Sequence, residues 1–328
     1  MAKKSKWYMV HGKWYIVLVL ACLLAACSVT PEVEMSIREC AAPPEGRACV
    51  TCFAAENTVF VIGGRTNAGS FCTTMLCYDI PSNTWTQEEQ AIHTRVNGTA
   101  CVTSHGVFVG LGFYGYNYYE EENHLRDWWL FNPQQRTWKQ LADFPTDKTV
   151  AAVCWSDEQY VWVSSGFNGF TEDIWRYDIA NDTWSASPAK SPLRVMAPVA
   201  ATCQGRTFYG TGYRRESKSD WYEWRDEGLW ARRASVPGKG RLNAACAATD
   251  HYVWIVGGWH YGDSLTTGFH YADIVRYAPI EDQWTRCGVI PCGETENGAA
   301  CALGRTLFFG LGEDKNATLH VHWYALDE

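Results

Sequence analysis

Six times along this chain an apolar run ends on glycine: Val61-Ile62-Gly63-Gly64, Gly110-Leu111-Gly112, Ser165-Gly166, Gly210-Thr211-Gly212, Ile255-Val256-Gly257-Gly258 and Gly310-Leu311-Gly312. The last Gly of each set recurs after 48, 54, 46, 46 and 54 residues. Periods of that size mark supersecondary units that bury little alone and must stack on their neighbours. Downstream of the glycines an aromatic residue stands seven places before a Trp: Tyr78 and Trp85, Phe131 and Trp138, Tyr177 and Trp184, Tyr277 and Trp284. Trp224 and Trp230 are one residue closer, and Pro145, Pro237 and Pro291 each come seven places after their Trp. With 17 Trp, 17 Tyr and 28 Gly, the chain favours pleated strands joined by tight turns.

Glycine pair, aromatic and Trp, kept in this order in five units, resemble the kelch repeat. Gly166-Phe167-Asn168-Gly169, Asp173-Ile174-Trp175-Arg176-Tyr177-Asp178 and Leu141-Ala142-Asp143-Phe144-Pro145 are similar to bacterial cell-envelope kelch proteins in particular. The resemblance implies an all-β, six-bladed kelch β-propeller over residues 35–328. The sixth unit reaches Trp323-Tyr324-Ala325 and stops short of a fourth strand. Ser36 to Pro44 matches the stretch downstream of Trp284 in the fifth unit, with Ile37 seven before Pro44. An N-terminal strand is therefore expected to complete the last blade and remove its open edge.

The first residues read as a targeting leader. Lys3, Lys4, Lys6 and Lys13 precede an apolar stretch, Trp14 to Leu24, that is too short to span a bilayer comfortably as a helix. It ends in Leu24-Ala25-Ala26-Cys27, which resembles a bacterial lipobox; Ser28 favours the outer membrane. The reading is a lipoprotein signal at 1–26, a lipidated Cys27 with a short linker at 27–34, and a cell-envelope address held by the lipid anchor only. The competing readings are an uncleaved anchor or ordinary signal cleavage. Removing the leader takes away four Lys and no acid, moving the formal charge from −8 to −12 and arguing against a nucleic-acid partner.

Of 14 Cys, six (Cys49, Cys101, Cys154, Cys203, Cys246 and Cys301) are expected on first strands, as small packing residues among Ala near the axis. Cys72 with Cys77, and Cys287 with Cys292, are spaced for local disulfides. No metal or cofactor is expected: His320 and His322 share a strand face but lack further ligands, and no nucleophile or phosphate-loop motif occurs. Asp127, Asp173, Asp220 and Asp273 each precede a third strand, where capping of turn amides is the expected role.

A ligand site is expected where the loops between second and third strands open beside the blade-to-blade links. Those loops supply Tyr114, Phe167, Tyr213, Arg215, Trp259 and His260, among further aromatics including Tyr116 and Tyr118. The links supply Arg95, Lys148, Arg194 and Arg241, read either as a cationic mouth or as structural donors tying blades together. Flat rings stack on sugar faces and guanidinium forks pair with carboxylates. A monomeric, non-enzymatic binding module for a glycan or protein partner is the first expectation. The alternative is a sugar mutarotase, since the bacterial sialic-acid mutarotases are similar six-bladed kelch propellers; Arg215, Glu216 and His260 are then candidates on chemistry alone.

Overall fold

The computed structural model describes residues 30–328 apart from 67–68, 116, 118, 148, 165, 168–169, 226–227 and 263–266, together with the short strands Met9–Val10 and Lys13–Trp14. Cys27 and Lys148 lie outside the described residues, as do Tyr116 and Tyr118.

Six four-stranded antiparallel sheets follow one another along the chain. Blade one consists of Thr51–Ala55, Thr58–Ile62, Thr74–Asp79 and Thr84–Glu89. Blades two to five repeat that up-and-down order, with first strands Thr99–Thr103, Val153–Ser156, Val199–Cys203 and Ala245–Ala248. Blade six takes Ala299–Leu303, Thr306–Gly310 and Trp323–Asp327 from the C-terminus and Ile37–Glu39 from the N-terminus. Ile37 pairs with Leu326, Arg38 with Ala325 and Glu39 with Tyr324, so the expected closing strand is in place and covers the edge of Trp323–Asp327. Among the described residues no helix is long and apolar enough to cross a membrane.

The spacing of seven between aromatic and Trp is a cross-strand pairing. Tyr78 lies opposite Trp85, Phe131 opposite Trp138, Tyr177 opposite Trp184 and Tyr277 opposite Trp284. Between those strands a turn residue with positive φ, Asn83, Asp182 or Asp282, accepts the tyrosine hydroxyl at 2.7–2.8 Å. Each of these acids or amides also accepts a backbone N–H from the preceding blade: Ala41, Ala142 and Ala234 respectively. The carbonyl of that same alanine accepts from the indole of Trp85, Trp184 or Trp284 at 2.8 Å. At these three junctions one residue of a blade is thus gripped from both polar ends by the next, while the rings bury the space between sheets.

The glycine pair has an equally local reason. Gly64 has φ +89°, and a Cβ there would sit 2.9 Å from the carbonyl oxygen of Ala48; at Gly63 it would meet the carbonyl of Arg95 at 2.1 Å. The final glycines of blades one, two, four, five and six share φ between +84° and +102°, a conformation that favours Gly, whereas the place before is also held by Leu111, Thr211 and Leu311 at φ +55° to +61°.

The first strands do surround the axis, with one correction. Cys49 precedes its strand, and Cys52 takes the strand position instead. All twelve described cysteines are free thiols in this structure, so the local Cys72–Cys77 and Cys287–Cys292 pairings are not formed.

Candidate functional site

Each link between blades turns through one left-handed residue before the first strand begins. These are Cys49, Asn97, Ala151, Ala197, Asn243 and Asn297, with φ between +49° and +60°. Asn tolerates this conformation better than most residues because its short amide bonds locally. The N–H of Asn97 donates to the carbonyl of Cys49, that of Ala151 to Asn97, that of Asn297 to Asn243, and that of Cys49 to Asn297, all at 2.9–3.0 Å. Peptide groups therefore link four of the six blade junctions around the mouth, including the seam between blades six and one. Inside lies a cavity of about 200 Å³ walled by these residues and by small side chains of the first strands.

A second column surrounds the first. The residue after each final glycine bridges to the residue before each left-handed one: Arg65 to Ala48, Phe113 to Val96, Phe167 to Val150, Tyr213 to Met196, Trp259 to Leu242 and Glu313 to Glu296. Equivalent places thus hold charges in blades one and six and aromatics in blades two to five.

The charges are organised. Arg65 donates to both carboxylate oxygens of Glu313 at 2.6 Å, and the amide of Asn297 donates to Glu313 Oε1 at 2.8 Å. The Glu313 side chain is only 4% exposed. Next to it, Glu296 accepts from the amide of Asn243 at 2.9 Å and faces His270 Nε2 at 3.0 Å. Burial pushes the Cys49 thiol up to about 12 against the opposing pull of Arg65, which keeps it a neutral thiol and not a nucleophile. Arg65 has its own affinity for protons raised: burial lowers it, but Cys49 and Glu313 more than compensate.

The aromatics are brought in by mutual stacking. Trp259 lies parallel to His270 at 5.7 Å and against Tyr261 at 5.0 Å; Tyr213 packs on Tyr261 at 4.7 Å. Phe167 is buried between Tyr119 and Phe170, and Tyr114 is exposed beside Phe71 and His93. Arg215 is exposed at the positive-φ tip of the hairpin Tyr213–Arg214, Glu216–Ser217.

Two of the cations expected at the mouth are elsewhere. Arg95 and Arg241 are fully buried inside their blades. Arg95 forks onto Asp127 at 3.1 and 2.6 Å and donates to the carbonyl of Leu111. Arg241 forks onto Asp273 at 2.7 and 3.1 Å and donates to the carbonyl of Gly257. They tie link, glycine turn and third strand together, because a guanidinium fork can satisfy a carboxylate and a carbonyl at once. The same geometry corrects three of the aspartates: Asp127, Asp273 and Asp220 are ion-pair partners of Arg95, Arg241 and Arg232 rather than turn caps, and Asp173 pairs with Lys190. Arg194 is exposed, with Nε donating to the carbonyl of Phe170. His260 is 4% exposed, packed on Phe269 with Nδ1 facing the carbonyl of Gly240, so it points into its loop and away from the mouth. His320 and His322 have separate partners, Glu294 and Glu39, and among the described residues no group of three or more ligand-type side chains could hold a metal.

The polar half of the site, Arg65, Glu313, Glu296, Asn243, Asn297 and His270, was missed from sequence. A signal existed: Arg65 and Glu313 stand one place after a final glycine, as Phe113, Phe167, Tyr213 and Trp259 do.

Residues 27–212 match the KLHDC2/KLHL20/DRC7 Kelch-repeats domain. The chain belongs to the kelch-repeat family. This kelch propeller is 22% identical over 228 residues to the N-acetylneuraminate epimerase of Yersinia enterocolitica, covering 66% of this chain and 52% of that one. It is 26% identical over 133 residues to Kelch-like protein 40 of Xenopus tropicalis, covering 39% of this chain and 21% of that one. The matches span about half or less of the length of these curated relatives. The solved structure of YjhT superposes with a TM-score of 0.70 at 15% identity, covering 86% of this chain and 95% of that one, a likeness of fold.

Proposed function

We propose that the axial mouth of this kelch propeller binds a monosaccharide-sized, hydroxyl-rich ligand, and that the protein serves as a carbohydrate-recognising module. The observation that supports this is the single ring in which carboxylates, carboxamides and one guanidinium on blades five, six and one face aromatic rings on blades two to five, over a cavity of about 200 Å³. Sugar hydroxyls need acceptors and donors in alternation, and their C–H faces need flat apolar surface. Arg194, Arg214 and Arg215 lie on the blade-four side of this face and are placed to favour an acidic sugar. Calorimetric titration with neutral and acidic monosaccharides tests the proposal; no heat at millimolar concentration with any of them defeats it. Glu296→Gln should weaken binding by roughly tenfold, as loss of a charged hydrogen bond does.

A second reading is favoured by one contact. His270 against Glu296 is an imidazole–carboxylate pair at the cavity rim, the kind of group that moves a proton onto or off an anomeric oxygen. The similar epimerase from Yersinia agrees with it. Sugar anomer exchange, followed by NMR with wild type and Glu296→Gln, separates binding alone from turnover.

The address belongs to this proposal too. The Leu24-Ala25-Ala26-Cys27 boundary supports a diacylated Cys27 at the cell envelope. Mass spectrometry of the membrane fraction should find the lipid; a Cys27→Ala variant that stays membrane-bound would count against it.

A further inference from the structure

Neighbouring first strands meet side by side around the axis, and one pair of side chains recurs at each interface. Counted from the left-handed mouth residue, the fourth residue of one blade shares a buried cluster with the third residue of the next. Between blades two and three these are Cys101 and Cys154. Between blades six and one they are Cys301 and Cys52. Between blades four and five they are Ala201 and Cys246. The remaining three interfaces hold an Ala, Phe or Trp against an Ala. Each pair is close enough for one thiol to act on the other: Cys154 raises the affinity of Cys101 for its proton, and Cys52 that of Cys301. Cys154 Sγ also lies 3.1 Å from the Thr99 hydroxyl of blade two, so its sulfur reaches across the interface.

We propose that Cys101 with Cys154 and Cys52 with Cys301 close as inter-blade disulfides, the second stapling the seam where the two chain ends meet. Each closure forms one S–S bond as the S–S bond of an oxidant of the disulfide class, such as oxidised glutathione, breaks; two electrons and two protons leave with it as two thiols. The partner thiol and burial hold Cys101 well above the usual thiol range, and burial does the same for Cys301. Exchange therefore runs while the strands are still exposed, before the core closes. A staple near the axis restrains the unfolded chain strongly because it spans whole blades.

The test uses the full chain refolded from denaturant in a glutathione redox buffer. Free thiols are then blocked with iodoacetamide and the protein is digested without reduction. Linked peptides joining Cys101 to Cys154 and Cys52 to Cys301, with Cys246 alkylated, support the proposal. Alkylation of all four, or pairing elsewhere such as Cys72 with Cys77, overturns it. Oxidised wild type should also melt several degrees above the reduced protein, a difference that Cys52→Ala combined with Cys101→Ala abolishes. Equal melting with and without reductant overturns the staple. Ala201→Cys should add a third link to Cys246; its failure to do so defeats the register on which the proposal rests.

Discussion

The mouth has two unlike arcs. On blades five, six and one, polar side chains hold one another: Arg65 on Glu313, Asn297 on Glu313, Asn243 and His270 on Glu296. On blades two to four the same repeat positions carry Phe113, Phe167 and Tyr213, held by ring contacts and backbone bridges. The left-handed turn beneath is common to all six links, so the arcs differ in the side chains set on it. A repeat scaffold fixes backbone directions by symmetry and leaves chemistry to whichever residue occupies each direction. The polar arc also straddles the seam, where N- and C-terminal strands share one sheet. Candidate ligand contacts and ring closure are thereby concentrated on the same side.

The largest expected effect separates buried from exposed cations under those arcs. Arg241→Ala leaves the Asp273 carboxylate without its fork in blade five and should cost about 3–5 kcal/mol in chemical denaturation. Arg194→Ala, at an exposed site in blade four, should cost less than about 1 kcal/mol. Equal losses would erase the distinction between tie and rim.

Blade four has a buried charge of its own, which makes acid stability a second discriminator. Burial alone raises the affinity of Glu223 for protons, but hydrogen bonds from Arg206, Arg233 and Arg225 outweigh it and hold the carboxyl at about 2, below its ordinary 4.5. A depressed folded value means the carboxylate's contribution is full above about pH 4.5 and is lost as pH falls through about 2. Glu223→Gln should flatten the fall in melting temperature across that window. An unchanged acid limb would place the loss in other carboxylates.

Within the polar arc, Glu313→Gln retains an acceptor for Asn297 but leaves Arg65 without its partner charge. Because Arg65 is 31% exposed, the stability loss should be modest, about 1–2 kcal/mol. Sugar affinity, if it depends on this arc, should fall by about tenfold. The smallest effect belongs to the aromatic platform nearest the polar groups. Trp259→Ala removes the stack on His270 and should weaken sugar binding by a few-fold, about 1 kcal/mol, with little change in the denaturation midpoint. A larger loss for Trp259→Ala than for Glu313→Gln would rank ring stacking above charge within this arc.

Period, blade count and the closing strand were legible in the chain, because each depends on backbone geometry that only particular residues permit. Gly64 stands where a Cβ would strike a carbonyl, and Tyr78 and Trp85 stand seven apart because they face each other across a tight turn. Such constraints act within a few residues, so they leave marks a few residues apart. The fate of the cations did not show in that way. Arg95 stands two places before the left-handed Asn97 and forks onto Asp127, 32 residues away. Arg194 stands three places before Ala197, leaves the buried place to Val195, and reaches the carbonyl of Phe170 in the preceding blade. That offset of one residue shows only once the left-handed residue of each link is known. Likewise Glu313 meets Arg65 across 248 residues only because the ring closes. Sequence determined the ring; tertiary contact decided which of its polar groups turn inward to hold it and which remain at the mouth, since pairing energies of buried charges depend on partners that only closure brings within reach.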